Sequence, residues 1–350
     1  MANTEHRTPI TRVIEQAKKN MVIALLVSVA ILVVVVMLTI DRRTIEAIKQ
    51  MRLGPLFLAL LLTLASYFFS GLAFKILADA LHKKLSVWEG FEVFTGASFI
   101  NLTTPFFNIA NLPVKIYFLT NFDISYIDAT AIVATHAILS VWFFLLAPLA
   151  IFVTELPILG TTLGSTFYIG IALIFLITAL FVVFIIKPIL FERAISVFIV
   201  NRLFKRVFSL EKLEQFSNRF VRQIEMLNVG LRHLFRQAPF SLFAAFLAQV
   251  FSWITIIATV PVILMGLNWF ESLPQIFLRV LVLNFFVSIA PTPGGSGVAE
   301  VGIVAVLLDL IPKYLIGPVV LLWRFTTFYL IYAFSAVFFL ILVNMRRKKS

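Results

Sequence analysis

The chain has 350 residues, 61% hydrophobic and 13% charged, with a mean hydropathy of +1.02, so its apolar surface exceeds what one soluble core can hide, which excludes an ordinary water-soluble enzyme. Lysine and arginine outnumber the acids 29 to 17, for a net charge of +12, but they cluster between long apolar runs, which favours a membrane over a nucleic acid. Cysteine is absent, which removes disulfides, thiolate metal sites and a cysteine nucleophile and leaves the redox compartment unread.

Residues 1–20 form a basic amino terminus, followed by Met21 to Ile40, which carry no charge and are long enough to cross a hydrocarbon core of about 30 Å. Thr39-Ile40-Asp41-Arg42-Arg43 is a poor cleavage site, so this segment is expected as a first span kept in the mature protein. A first membrane half, 55–186, contains apolar runs from Pro55 to Ala78, Ile127 to Val153 and Thr166 to Ile186; a second, 239–343, contains Pro239 to Met265 and Gly317 to Val343. With the first span these make six full crossings. Each half also holds an apolar region broken by proline and polar residues, 87–119 and 275–311, whose limbs of about 14 to 18 residues are short for a crossing. Both read as broken helical hairpins, either re-entrant or crossing as two short tilted spans, and each returns the chain to its starting side. The predicted fold is therefore an all-α polytopic membrane protein of six spans and two broken hairpins, equivalent to about eight membrane segments.

Between the halves, 187–238 carries nine basic residues and four acids from Phe191 to Gln237, interleaved at helical spacing with Ile195, Phe198, Leu203, Phe204, Phe216 and Phe220. This predicts amphipathic helices on an anionic inner leaflet, with a plain linker beneath the bundle as the alternative. Together with the tail 344–350, which contains Arg346, Arg347, Lys348 and Lys349, it belongs in the cytoplasm, whereas Thr154 to Ser165 and Gly266 to Pro274 lack Lys and Arg and suit the outer face of the cell membrane. Alternation then puts the amino terminus in the cytoplasm too; Arg42, Arg43, Lys49 and Arg52 dissent, since they fall outside. The hairpins align without gaps, Thr104-Pro105 on Thr292-Pro293 and Asn108 on Ser296, and open to opposite sides, the pattern of inverted repeats.

Glu300 follows Gly297 at the start of an apolar limb, where an ionised carboxylate is costly unless paired or wet; the alternative to a functional role is a capping acid fixing the glycine-rich turn. Arg324 lies a turn or two into an apolar span, and its guanidinium suits phosphate or carboxylate; snorkelling or a structural pair with Glu300 are its plainer readings. Gly294, Gly295 and Gly297 permit unusual backbone conformations and expose amides to an anionic headgroup. No Gly-Lys-Ser/Thr follows them, so a nucleotide loop is excluded. Asn101, Asn108, Asn111 and Asn284 are expected to bond broken backbone first, with Asn108 and Asn111 also available to a headgroup. Lys115, Arg279, Asp309 and Lys313 stand at limb ends, where interface anchoring competes with substrate contact. His136 is expected to make a helix-to-helix hydrogen bond, Trp88 and Trp269 to sit in interfacial belts, and no metal site or cofactor is implied.

Ala290-Pro291-Thr292-Pro293-Gly294-Gly295-Ser296-Gly297-Val298-Ala299-Glu300, followed by Leu322-Trp323-Arg324-Phe325-Thr326-Thr327-Phe328-Tyr329, resembles the flippase-like transmembrane family, the membrane region of bacterial lysylphosphatidylglycerol synthases and their stand-alone relatives. Pro113-Val114-Lys115-Ile116-Tyr117 looks like a first-half element of the same family, and the resemblance runs from about Pro55 to Val343. It implies movement of a lipid between leaflets rather than aminoacyl transfer, since only seven residues follow Val343. The chain departs from the family in its first hairpin. Phe106, Phe107, Asn108 and Asn111 replace a glycine-rich stretch, and Leu112 stands where an acid is usual.

Two functions of different class follow. In the first, the hairpins form a groove near the midplane, the glycine amides and Arg324 hold an anionic or zwitterionic phospholipid headgroup, and Glu300 balances a cationic portion while the halves rock. In the second, the chain is a non-transporting subunit that anchors or regulates a lipid- or glycolipid-modifying enzyme. A hydrolase finds no Ser/His/Asp or paired-acid constellation. Membrane lipids are the expected partners, anionic at the cytoplasmic face, with a homo-oligomer or an enzyme partner left open.

Overall fold

The structure, a computed structural model, describes residues 42–104, 111–162, 238–288, 290 and 292–349, with isolated residues at 30, 33, 37, 176 and 234. The expected first span, the Thr166 to Ile186 span, the basic segment from Phe191 to Gln237, and Pro105, Phe106, Phe107 and Asn108 lie outside the described residues. All regular structure among the described residues is helical. In chain order it comprises α1 (Arg42–Lys49), α2 (Leu53–Ala80), α3 (Val87–Thr103), α4 (Leu112–Leu119), α5 (Tyr126–Thr162), α6 (Pro239–Gly266), α7 (Leu273–Ser288), α8 (Val298–Leu307), α9 (Lys313–Arg324) and α10 (Leu330–Lys349). A π turn, Phe325–Tyr329, welds α9 to α10. Among the described residues four stretches are long and apolar enough to cross a membrane: α2, the first part of α5, α6, and Lys313–Met345.

The chain is a polytopic helical membrane protein, and its centre is the antiparallel pair α2 and α6. Each is 28 residues and about 42 Å long. Arg52 N donates to Gly266 O at 2.8 Å, tying the start of α2 to the end of α6. Midway, Ser252 Oγ donates to Ser66 O at 2.8 Å and lies 2.8 and 3.1 Å from the hydroxyls of Ser70 and Ser66. Helices in lipid gain little from burying apolar surface against each other, so small hydroxyl residues that allow close approach and exchange hydrogen bonds are the natural seam.

α3 begins with a complete capping box. Glu89 N donates to Ser86 Oγ and Ser86 N to Glu89 Oε2, which meets two of the otherwise unpaired amides of the first turn. It then crosses α2 at Gly71 and Gly90, where a Cβ on Gly90 would stand 2.3 Å from Gly71 O; only glycine lets the two backbones touch. α10 covers the other side of α3 through Phe91, Phe334 and Phe338.

Two hydrophobic cores result. One gathers Phe74, Leu77, Ile100, Phe118, Ile132 and Leu139 around α3 and α4; the other gathers Ile257, Ile263, Val280, Ile303, Leu307 and Val319 around α7 and α8. The helical pairs α3/α4 and α7/α8 have their open ends at opposite ends of the α2–α6 pair. Beside the former, a cleft of about 830 Å³ is lined by Asp79, Ser86, Phe122 and Met345, and Asn121 Nδ2 donates to Leu342 O near the end of α10. The latter is closed by Arg279 and Asp309, and Thr44 Oγ1 of α1 donates to Tyr314 O beside it. α5 differs from expectation: it runs to Thr162, through most of the stretch read as an outer loop from the absence of Lys and Arg. Lack of positive charge reports sidedness, not backbone conformation.

Candidate functional site

The chain leaves helical conformation after Ser288 and re-enters it at Val298. The turn Pro293–Gly295 stands between, with Gly294, Gly295 and Gly297 all at positive φ (58°, 66° and 91°). At Gly294 this conformation coincides with crowding. A Cβ there would lie 2.2 Å from Phe328 Cε2 and 3.2 Å from Leu102 O, at the last turn of α3. The ends of α3 and of the glycine turn therefore meet, and Leu102, Phe328 and Ile331 form a small core joining the two larger ones, flanked by Leu64 and Tyr67 from the middle of α2.

Glu300 is fully buried in the first turn of α8. Its Oε2 accepts from Gly297 N at 2.7 Å; its Oε1 accepts from Arg324 Nε at 2.8 Å, with Nη2 at 2.7 Å. Arg324, 4% exposed, also directs Nη1 at Gly294 O, 3.4 Å away, and its guanidinium lies 4.7 Å over the Phe328 ring. Thus Glu300 both caps the turn and pairs with Arg324. The guanidinium faces inward, so snorkelling does not describe it. Arg324 also lies deeper than expected, at the last residue of α9, because the helix starts at Lys313 rather than Gly317. The π turn immediately after it spares backbone carbonyls, and hydroxyls take them up: Thr326 Oγ1 donates to Leu322 O and Thr327 Oγ1 to Trp323 O. Such single wide turns recur where a helix must aim a functional side chain. The pair neutralises two charges that would each be costly in hydrocarbon, and the cap and cation–π contact add partners that a bare pair lacks. Nearby, Thr292 Oγ1 and Ser296 Oγ are buried with no hydrogen-bond partner among the described residues.

The first half contributes a different set. Lys115, 6% exposed, is buried rather than at a wet limb end, with Nζ 4.8 Å over the Phe94 ring and 5.9 Å over Phe74. His136 shares those rings, its centroid 4.5 Å from Phe74 and 5.8 Å from Phe94. The helix-to-helix hydrogen bond expected of it is not formed at Nε2, which has no partner among the described residues. Asn111 is fully buried, and among the described residues neither of its side-chain polar atoms has a partner, nor does Asn101 Oδ1. Asn284 bonds its own helix, Nδ2 to Val280 O at 2.8 Å, rather than broken backbone. Asn108 lies outside the described residues. Arg279 pairs with Asp309 and donates to Val306 O, closing the open end of α7/α8, while Lys313 and Trp88 are exposed. Phe328 was not singled out in the sequence, yet it packs against both Gly294 and the Arg324 guanidinium; its i+4 spacing from Arg324 was the available signal.

A helical membrane bundle in which a glycine turn carries a buried, internally paired carboxylate defines a class of multi-pass membrane protein. The chain belongs to the family described as the lysylphosphatidylglycerol synthase TM region, whose model matches residues 21–335. It is 25% identical over 320 residues to a UPF0104 membrane protein of Archaeoglobus fulgidus, covering 90% of this chain and 94% of that relative.

Proposed function

We propose that this protein moves a lipid with an anionic or zwitterionic headgroup between the leaflets of the cell membrane, as a carrier rather than a catalyst. The observation that carries this reading is the buried Glu300–Arg324 pair at the point where the glycine turn meets the end of α3. Ionisable groups at such depth mark pathways through membrane proteins, and broken helices leave backbone dipoles there for a charged guest. Three features support it: the oppositely directed open ends of α3/α4 and α7/α8, which suit re-entrant hairpins in inverted repeats; the unpartnered Asn111, Thr292 and Ser296 side chains close to the breaks; and the family to which the chain belongs. Gly294, Gly295, Gly297, Glu300, Arg324, Asn108, Asn111 and Lys115 are the residues proposed to meet the headgroup, with both termini cytoplasmic.

One observation favours the subunit reading instead. Glu300 is engaged by both Gly297 and Arg324, as a purely structural pair would be. Vesicles containing the purified protein and a fluorescent phospholipid, bleached from outside, separate the two. Protein-dependent exchange that falls at least about tenfold in Glu300→Gln, while the variant stays folded, is expected for a carrier; no exchange of any lipid in a panel of headgroups assigns the subunit role.

A further inference from the structure

In the register that sets Thr104 on Thr292, the starts of α2, α3, α4 and α5 fall within two residues of the starts of α6, α7, α8 and α9. The same register sets Leu112 on Glu300 and His136 on Arg324. The second half thus holds a carboxylate and a cation that neutralise each other, and the first half holds neither partner in that form. It has an apolar residue in place of the acid, an imidazole in place of the guanidinium, and an added cation, Lys115, one helical turn from Leu112.

The geometry of this second set is that of a site short of one negative charge. Lys115 and His136 share the faces of Phe74 and Phe94. Among the described residues no carboxylate forms an ion pair with Lys115. His136 is 4% exposed, and its Nε2 has no partner among the described residues. Asn111 lies one turn before Lys115 on the same face of α4 and is completely buried, with its amide and carbonyl unpaired among the described residues. A buried cation is stable in such a place when an anion joins it. An ammonium and an imidazole over the same two rings, with a carboxamide one helical turn from the ammonium, are donors suited to phosphate oxygens.

We infer that the first half binds one phosphate group, held between Lys115, His136 and Asn111, so that the ligand's charge stands in for the carboxylate that Leu112 does not supply. The inference rests on the carrier reading for its choice of a phospholipid as the source of the phosphate; the phosphate site itself does not require transport. One positive charge at Lys115 matches the single charge of a phosphodiester.

Isothermal titration of the full chain in a neutral detergent tests this with four probes: dihexanoylphosphatidylglycerol, dihexanoylglycerol, glycerol 3-phosphate and inorganic phosphate. Saturable binding of the phospholipid and none of the uncharged diacylglycerol is expected. Lys115→Met and Leu112→Glu should each weaken that binding at least about tenfold, the first by removing the charge and the second by supplying an internal acid, whereas Lys115→Arg should retain it. Each variant is checked for monodispersity and a Tm no lower than that of the unmodified chain, and Lys115→Arg guards against a folding defect. Equal binding of the diacylglycerol, or undiminished affinity in both Lys115→Met and Leu112→Glu, overturns the inference. Binding of inorganic phosphate or glycerol 3-phosphate without the lipid keeps the anion site and overturns the lipid as its source. The carrier reading fails separately: a chain that exchanges no lipid in vesicles but loses binding in Lys115→Met has the phosphate site without the transport.

Discussion

The two halves of the molecule use the same helical elements but treat buried charge in opposite ways. Around the glycine turn of the second half, Glu300 and Arg324 satisfy each other, Gly297 caps the acid, and Phe328 lies against the guanidinium. In the first half Lys115 sits among aromatic rings with no ion-paired acid among the described residues, beside an unpartnered Nε2 of His136 and an unpartnered Asn111. The difference teaches that a similar order of helices does not fix where the charges balance: one half pairs its buried charges within the chain, and in the other Lys115 has no ion-paired acid among the described residues.

The comparison breaks most readily at the complete half. Arg324→Ala strands a fully buried carboxylate and should cost about 3–5 kcal/mol, read by unfolding in mixed detergent with rising SDS; replacing both partners, Glu300→Leu with Arg324→Met, should recover most of it. If the single change is as mild as the double, the pair is not what neutralises Glu300. Gly294→Ala should follow at about 1–3 kcal/mol from overpacking, because its Cβ would stand 2.2 Å from Phe328 in a left-handed conformation. Phe328→Leu in the same chain should relieve part of that loss, a coupling visible in a double-mutant cycle.

The incomplete half sharpens the contrast through its sign. Lys115→Met removes a buried cation with no internal acid and should leave the apoprotein as stable or raise its stability by about 1 kcal/mol; a clear loss would mean that Lys115 is paired after all. The smallest effect belongs to the open end of α7/α8. There Asp309→Asn weakens a pair whose acid is 45% exposed, and the same unfolding assay should show only about 0.2–1 kcal/mol.

Much of the architecture was legible because hydropathy along a helix is a local property. The long apolar runs at α2, α6 and Lys313–Met345 are helices of spanning length, and the Pro-Gly-Gly-x-Gly-x-x-Glu string pointed to the family that the match over residues 21–335 shows. Conformation outside the apolar pattern was less legible, as the continuation of α5 to Thr162 demonstrates. At the site, Glu300 and Arg324 stood out as charges in apolar surroundings, but whether they faced each other, a lipid or water was undetermined by their order in the chain. His136 was harder still, since a histidine on an apolar helix reads the same whether it bonds a neighbouring helix or rests on rings.

By itself, then, the sequence determined that this chain is a helical membrane protein, where apolar helices of spanning length run among the described residues and which few charges are out of place among them, because transfer into lipid is summed residue by residue along each segment. Only the tertiary structure decided the partners: Arg324 with Glu300, Phe328 with Gly294, Lys115 and His136 with the same two phenylalanines. A buried charge or an orphaned polar group is tolerated according to what the neighbouring helices bring within a few ångströms, and that depends on how they cross, a relation between distant segments that no local run of residues contains.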